Sequence, residues 1–149
     1  MALYKFTKAI LDGEPIDVFN HGDMSRDFTY ISDLVESLAR LIPIDPKPLT
    51  VPNLIGDSLS PVAPFRVINI GNSKPVQLTE FITSIEKALG RKATLNFLPM
   101  QPGDVKSTYA DTSLLKQLTG YEAKTSTVDG VKHFVSWYMK YYGLKGEAA

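Results

Sequence analysis

The sequence predicts a mixed α/β fold in which amphipathic helices alternate with short strands. Two sets of apolar residues recur at helical spacing: Leu34, Val35, Leu38, Leu41 and Ile42, and then Leu78, Phe81, Ile82, Ile85 and Leu89. Short β-branched and aromatic runs, 15–19 and 65–70, stand between the helical stretches. The chain has 149 residues, 44% of them hydrophobic, which suits one globular core or part of a larger one.

Composition excludes several classes of function. Sixteen Lys and Arg balance sixteen Asp and Glu. Nucleic acid and anionic membranes attract a basic field, so neither is an expected partner. There is no cysteine, hence no disulfide framework and no thiolate chemistry. His21 and His133 are far apart and bring no clustered ligands, so no zinc site is expected. Lys5 and Lys8 interrupt the first residues, so no signal-peptide core forms. No run is long enough to span a membrane, and the cytoplasm is the expected location.

The first helix is expected over 3–11, with Leu3, Phe6 and Ile10 on one face and a stop at Asp12-Gly13. Ile16, Val18 and Phe19 suit a short strand over 15–19. His21-Gly22-Asp23 reads as a turn and 28–30 as extended. Ser32 or Asp33 is expected to cap the next helix. Six of the ten prolines then fall within 43–65: Pro43, Pro46, Pro48, Pro52, Pro61 and Pro64. That stretch reads as a long loop inside the fold, a kind often tied to function. A strand is expected over 65–70, closed by Gly71-Asn72-Ser73. Thr79 is the expected cap of the second strong helix, with Glu80 in its first turn and Gly90 just past its end. A strand over 93–98 and a turn over 99–104 follow. Asp111 is expected to cap a short helix ending at Gly120. Ser126 or Thr127 caps the last helix, with Val131, Phe134, Val135, Tyr138 and Tyr142 on one face. The tail from Gly143 is expected to fray.

The chemistry gathers around 22–33. Arg26 lies between a turn and a helix start, where its planar fork can meet a phosphate or a carboxylate. The alternative is a surface pair with Asp23 or Asp27. Gly103-Asp104 puts a carboxylate in a tight turn, able to accept both hydroxyls of a ribose or simply to serve the turn. Phe19 can stack on a base or belong to the core. Asn69-Ile70-Gly71-Asn72 ends a strand in a turn, a common ligand edge. Tyr4 and Lys8 have the spacing of a nicotinamide-enzyme acid–base pair. No Ser or Thr partner precedes them and the chain has no Gly-x-Gly-x-x-Gly, so no catalytic residue is assigned.

Taken in order, 1–11, 15–19, Arg26-Asp27-Phe28-Thr29-Tyr30-Ile31, Val67-Ile68-Asn69-Ile70-Gly71-Asn72, Gln101-Pro102-Gly103-Asp104-Val105 and Tyr109-Ala110-Asp111 resemble one family. They look like the second half of extended short-chain dehydrogenase/reductases that act on nucleotide sugars, most specifically the bacterial UDP-glucuronate 4-epimerases. The resemblance implies that 1–143 is the C-terminal, UDP-sugar-binding part of a Rossmann-type enzyme, with 144–149 as its tail. It implies NAD, oxidation at C4 of the sugar and return of the hydride to the other face. The cofactor and the acid–base Tyr, Lys and Ser/Thr would sit in an N-terminal Rossmann half outside this chain. The chain by itself is therefore expected to bind no NAD and to be inactive. A UDP-sugar and that half are the implied partners, and a homodimer is implied for the longer enzyme. Residue by residue, Arg26 matches the arginine that grips the UDP pyrophosphate. Asp17, Val18 and Phe19 match the segment along the uracil, and Asp104 the aspartate near the ribose. Gln101 stands where galactose-type epimerases carry a nucleotide-contacting arginine, which follows the glucuronate-type pattern. A dehydratase or decarboxylase half, or a non-catalytic binding module, are the alternatives. Without the Rossmann half, the stripe 34–42 with Val67 and Ile68 is expected to lie exposed.

Overall fold

A computed structural model describes residues 2–47 and 56–144. The chain forms two compact units, each assembled from separate stretches. One comprises Met1–Arg26, Val76–Thr108 and Ser126–Ala149, the other Asp27–Pro75 and Tyr109–Thr125.

In the first unit, helix α1 (Ala2–Asp12) ends at Gly13, whose φ of 74° is left-handed. Strand β1 (Pro15–Val18) buries Ile16 and Val18 and turns Pro15 and Asp17 outward, the alternation of a half-buried strand. Strand β2 (Ser25–Arg26) pairs antiparallel with β3 (Val76–Gln77). Helix α3 (Leu78–Leu89) buries Phe81, Ile82 and Ile85 and closes on left-handed Gly90 at φ 67°. It is capped by Gln77 and not by the expected Thr79. The reason is tertiary: β3 runs straight into the helix, and the Leu78 amide donates to Met24 O at 2.8 Å. Strand β4 (Thr94–Phe97) pairs parallel with β1, Ile16 opposite Leu95 and Val18 opposite Phe97. Ile16, Val18 and Ile82 form the core here, with Phe6, Ala9, Leu78 and Ala93 packed against it. Helix α5 (Thr127–Tyr141) packs on α3, and the Ser126 hydroxyl caps it by accepting from the Asp129 amide at 3.1 Å. At its far end Gly143 is left-handed and Leu144 N donates to Met139 O at 2.9 Å, so the first residues past the helix are tied to it. The rest of the expected tail, 145–149, lies outside the described residues.

In the second unit, helix α2 (Ile31–Leu41) starts before either expected cap. Its N-cap is Tyr30, with no side-chain cap bond. Asp33 is otherwise engaged, accepting from the Tyr121 hydroxyl at 2.6 Å and from the amides of Lys124 and Thr125 at 3.1 and 3.0 Å. Helix α4 (Ser113–Thr119) packs on α2 and ends at left-handed Gly120. Thr112 is its N-cap; Asp111 sits one residue earlier, accepting the Ser113 amide at 2.9 Å.

The strand expected over 65–70 does not form. The Ser58 hydroxyl accepts from Val67 N at 2.9 Å and donates to Val67 O, while Phe65 O is taken by Ser60 N at 2.8 Å. A side chain thus occupies the groups that a ladder would use. Residues 48–55 of the proline-rich loop, Pro48 and Pro52 among them, lie outside the described residues.

The apolar stripe of α2 faces outward. Its buried residues are Asp33 and Ser37, whereas Ile31, Val35, Leu38 and Ile42 are 61%, 55%, 49% and 84% exposed. Phe65 and Val67 are also exposed, and Leu34, Leu41 and Ile68 are half-buried. Among the described residues no helix is long and apolar enough to cross a membrane, and no group of three or more acidic or His side chains could hold a metal ion.

Candidate functional site

The β1–β4 ladder continues past the strand ends as a seam. Leu98 N donates to Val18 O at 3.0 Å, and His21 N to Leu98 O at 3.1 Å. Between them runs a 3-10 turn, Phe19–Gly22, with Asn20 and His21 both left-handed at φ 49° and 50°. Phe19 therefore belongs to this turn and not to the strand, which stops at Val18. Gly22 is buried at φ 85°, and a Cβ there would lie 3.0 Å from Thr79 Cγ2. The seam then passes to β2: Ser25 N donates to Lys106 O at 2.9 Å, Thr108 N to Ser25 O at 3.2 Å, and the hydroxyls of Ser25 and Ser107 lie 2.7 Å apart. Segments about eighty residues apart are thereby laid edge to edge, which brings Arg26 beside the stretch that carries Asp104.

Arg26 is half-buried. Its Nη1 donates to Ser25 O at 2.8 Å and to Lys106 O at 3.2 Å. Two carbonyls aim the guanidinium without neutralising it. Among the described residues Arg26 has no ion-pair partner: Asp23 pairs with Lys106 at 2.6 Å, and Asp27 Oδ2 accepts the amides of Ser73 and Ala110 at 3.0 and 3.1 Å. The surface-pair alternative for Arg26 is not what forms. By contrast, Arg40 is paired with Glu36, and Arg66 with Asp57 through two bonds of 2.8 and 3.1 Å.

The remaining candidate residues fall along the same seam with different freedom. Asp104 is exposed in a turn closed by its own amide to Gln101 O at 3.2 Å, with Gly103 at φ 88°. Its carboxylate accepts no hydrogen bond among the described residues. Asp17 accepts from Asn96 Nδ2 at 2.8 Å. The Val18 side chain is fully buried in the core, and its carbonyl is spent on Leu98. Phe19 is half-buried. Lys106, Ser25 and Ser107 were not singled out by sequence reasoning, because nothing local marks them. Tyr4 and Lys8 do not act as a pair: the Tyr4 hydroxyl meets that of Tyr142 at 3.0 Å, and Lys8 binds Asp12. The hydrogen bond to Asp12 raises the Lys8 ammonium above its ordinary pKa.

A separate groove of about 250 Å³ lies in the second unit between Leu41, Ile44, Pro46, Pro64 and Phe65. The one cation lining it, Arg66, is already neutralised by Asp57. Two guanidiniums have no ion-pair partner among the described residues: Arg91, which donates to Leu11 O at 3.2 Å, and Arg26, the one on the seam.

No protein-family model matches the chain. Among curated proteins it is 50% identical over 144 residues to a "Probable UDP-glucuronate 4-epimerase" of Rhizobium meliloti, covering 95% of this chain and 42% of that one. It is 46% identical over 147 residues to "Protein CapI" of Staphylococcus aureus, covering 95% and 43%. Among solved structures, UDP-glucuronic acid 4-epimerase from Bacillus cereus in complex with UDP-glucuronic acid and NAD superimposes with a TM-score of 0.75 at 32% identity, over 95% of this chain and 40% of that one.

The chain belongs to the extended short-chain dehydrogenase/reductases, matching their C-terminal part. It spans about two fifths of the length of the curated relatives it matches. The described portion of this extended dehydrogenase/reductase does not fit a nicotinamide dinucleotide. Such a fold holds the pyrophosphate on a glycine-rich turn between a strand and a helix. Here the sequence has no Gly-x-Gly-x-x-Gly, and β1 leads into a 3-10 turn instead.

Proposed function

We propose that the Arg26 seam is the UDP-binding surface of an NAD-dependent UDP-sugar 4-epimerase of the UDP-glucuronate type. The observation that carries this reading is the Arg26 guanidinium, aimed by two carbonyls and left without a counter-charge among the described residues. A planar fork so held suits two oxygens of a diphosphate. The names of the relatives and the UDP-glucuronic acid in the Bacillus cereus structure support the same ligand class.

On this reading Arg26 clamps the pyrophosphate and Asp104 accepts the ribose hydroxyls. Asp17, Val18 and Phe19 run along the uracil, Val18 as the buried anchor and Phe19 as the ring beside the base. The redox step and its acid–base groups are assigned to no residue of this chain. The reading carries with it a Rossmann half as partner, a homodimer of the longer enzyme and a cytoplasmic location. It gives nucleic acid and membranes no role.

Titrating UDP into the chain by calorimetry tests it. Arg26→Ala should cost about 1.5–3 kcal/mol of binding, the range for charged hydrogen bonds. Arg26→Lys should also lose affinity, because a point charge cannot replace a fork. Unchanged affinity in both variants would overturn the reading.

A further inference from the structure

We propose that Lys106 is a second cation of this site, held in reserve by Asp23, and that an incoming diphosphate takes the Lys106 ammonium from the Asp23 carboxylate. The inference rests on the reading of Arg26 as a phosphate ligand.

Lys106 touches Arg26 through its backbone and Asp23 through its side chain. Its carbonyl takes both the Ser25 amide, at 2.9 Å, and Arg26 Nη1, at 3.2 Å. Its ammonium lies 2.6 Å from Asp23 Oδ2. The ammonium rides on a flexible four-carbon stem, while the peptide it springs from is pinned beside the guanidinium. The Lys106–Asp23 pair is exposed, 64% and 65% at the two side chains. Such a pair holds weakly against solvent and is easily exchanged for a more highly charged anion.

Charge balance gives the exchange its purpose. With Lys106 tied to Asp23, Arg26 is the one uncompensated cation on the seam, and the carboxylate of Asp104 lies two residues upstream of Lys106. A diphosphate entering that field meets one cation and nearby anions. Moving the Lys106 ammonium onto the phosphates doubles the positive charge they meet. Asp23 then acts as an internal competitor that lowers affinity for the anion.

The test is titration of inorganic pyrophosphate and of UDP into the chain and its variants. Lys106→Met keeps the carbonyl that aims Arg26 and should weaken both ligands about two- to fivefold, the range of one exposed ion pair. Lys106→Arg should restore binding. Asp23→Asn should tighten both ligands by a similar factor of about two to five, whereas a purely structural clasp would weaken them on losing either partner. The gain from Asp23→Asn must shrink when Lys106 is already Met. An equal gain in both backgrounds would mean simple repulsion by Asp23 and would overturn the inference, as would unchanged affinity in Lys106→Met. Arg26→Ala separates the two readings. If it abolishes binding while the Lys106 and Asp23 variants behave as wild type, this inference fails alone. If it changes nothing, the UDP-site reading itself fails.

Discussion

The Tyr121 hydroxyl donates a 2.6 Å hydrogen bond to Oδ1 of Asp33, eighty-eight residues away, and both side chains are buried. Burial pushes the Asp33 carboxyl up, but hydrogen bonds from Tyr121 and from the amides of Lys124 and Thr125 outweigh it and hold it below its ordinary value. The same bond, with burial, pushes the Tyr121 phenol up to about 12.

Tyr121→Phe should therefore destabilise the chain by about 1.5–3 kcal/mol, the range for a hydrogen bond to a charged acceptor. The pH dependence follows from the signs. The contribution of Asp33 is complete above about pH 4, its unfolded value, and is lost as pH falls through the lower folded value. That of Tyr121 is complete below about pH 10 and is lost as pH rises through about 12. Melting curves of wild type and Asp33→Asn should thus converge in acid. A gap that stays constant from pH 7 down to pH 2 would show that Asp33 contributes nothing as a carboxylate.

A Cβ on Gly71 would lie 2.4 Å from Ala110 Cβ. Gly71→Ala should cost about 1–3 kcal/mol through overpacking. The compensating change Ala110→Gly should recover part of it, because it removes the nearest atom and leaves Asp27 Oδ2 at 3.1 Å. If chemical denaturation shows no rescue in the double variant, another constraint requires this glycine.

Asp104 accepts no hydrogen bond among the described residues, and its turn is closed by backbone alone. Asp104→Ala should leave the melting temperature unchanged while erasing any preference for UDP over 2′,3′-dideoxy-UDP in a calorimetric titration. A variant that loses stability instead would make Asp104 a turn residue.

The outward face of α2 carries Ile31, Val35, Leu38 and Ile42. Contiguous apolar surface of this kind is rare on soluble monomers. The chain should bind a dye for exposed apolar surface and self-associate. Val35→Glu with Leu38→Glu should reduce both, while changing stability by only about 0.5 kcal/mol, as exposed substitutions do. Sedimentation as a monomer that ignores the dye would show that this face is otherwise satisfied.

Much of the local structure was legible in residue order. The helices at 2–12, 78–89, 113–119 and 127–141 follow from apolar spacing and from Gly13, Gly90, Gly120 and Ser126 at their ends. These signals act within a few residues, so the sequence carries them without help. The strand at 15–18 and the turn at Asp104 were legible for the same reason. The start of α2 at Ile31 and the lack of a strand at 65–70 were not. In each, a polar group had a choice between a local partner and a distant one: Asp33 went to Tyr121, and Val67 was taken by Ser58.

By itself, the sequence determined which stretches turn helical and where most of them stop, and it singled out Arg26 and Asp104 as candidates. Tertiary structure decided that β1 and β4 lie parallel, that 106–108 runs parallel beside β2, and that Lys106 holds Asp23 while its carbonyl aims Arg26. The physical reason is range. Helix periodicity and glycine turns are set by steric rules between near neighbours. A buried carboxylate, a ladder and an aimed guanidinium depend on which backbone groups from far along the chain arrive to satisfy them.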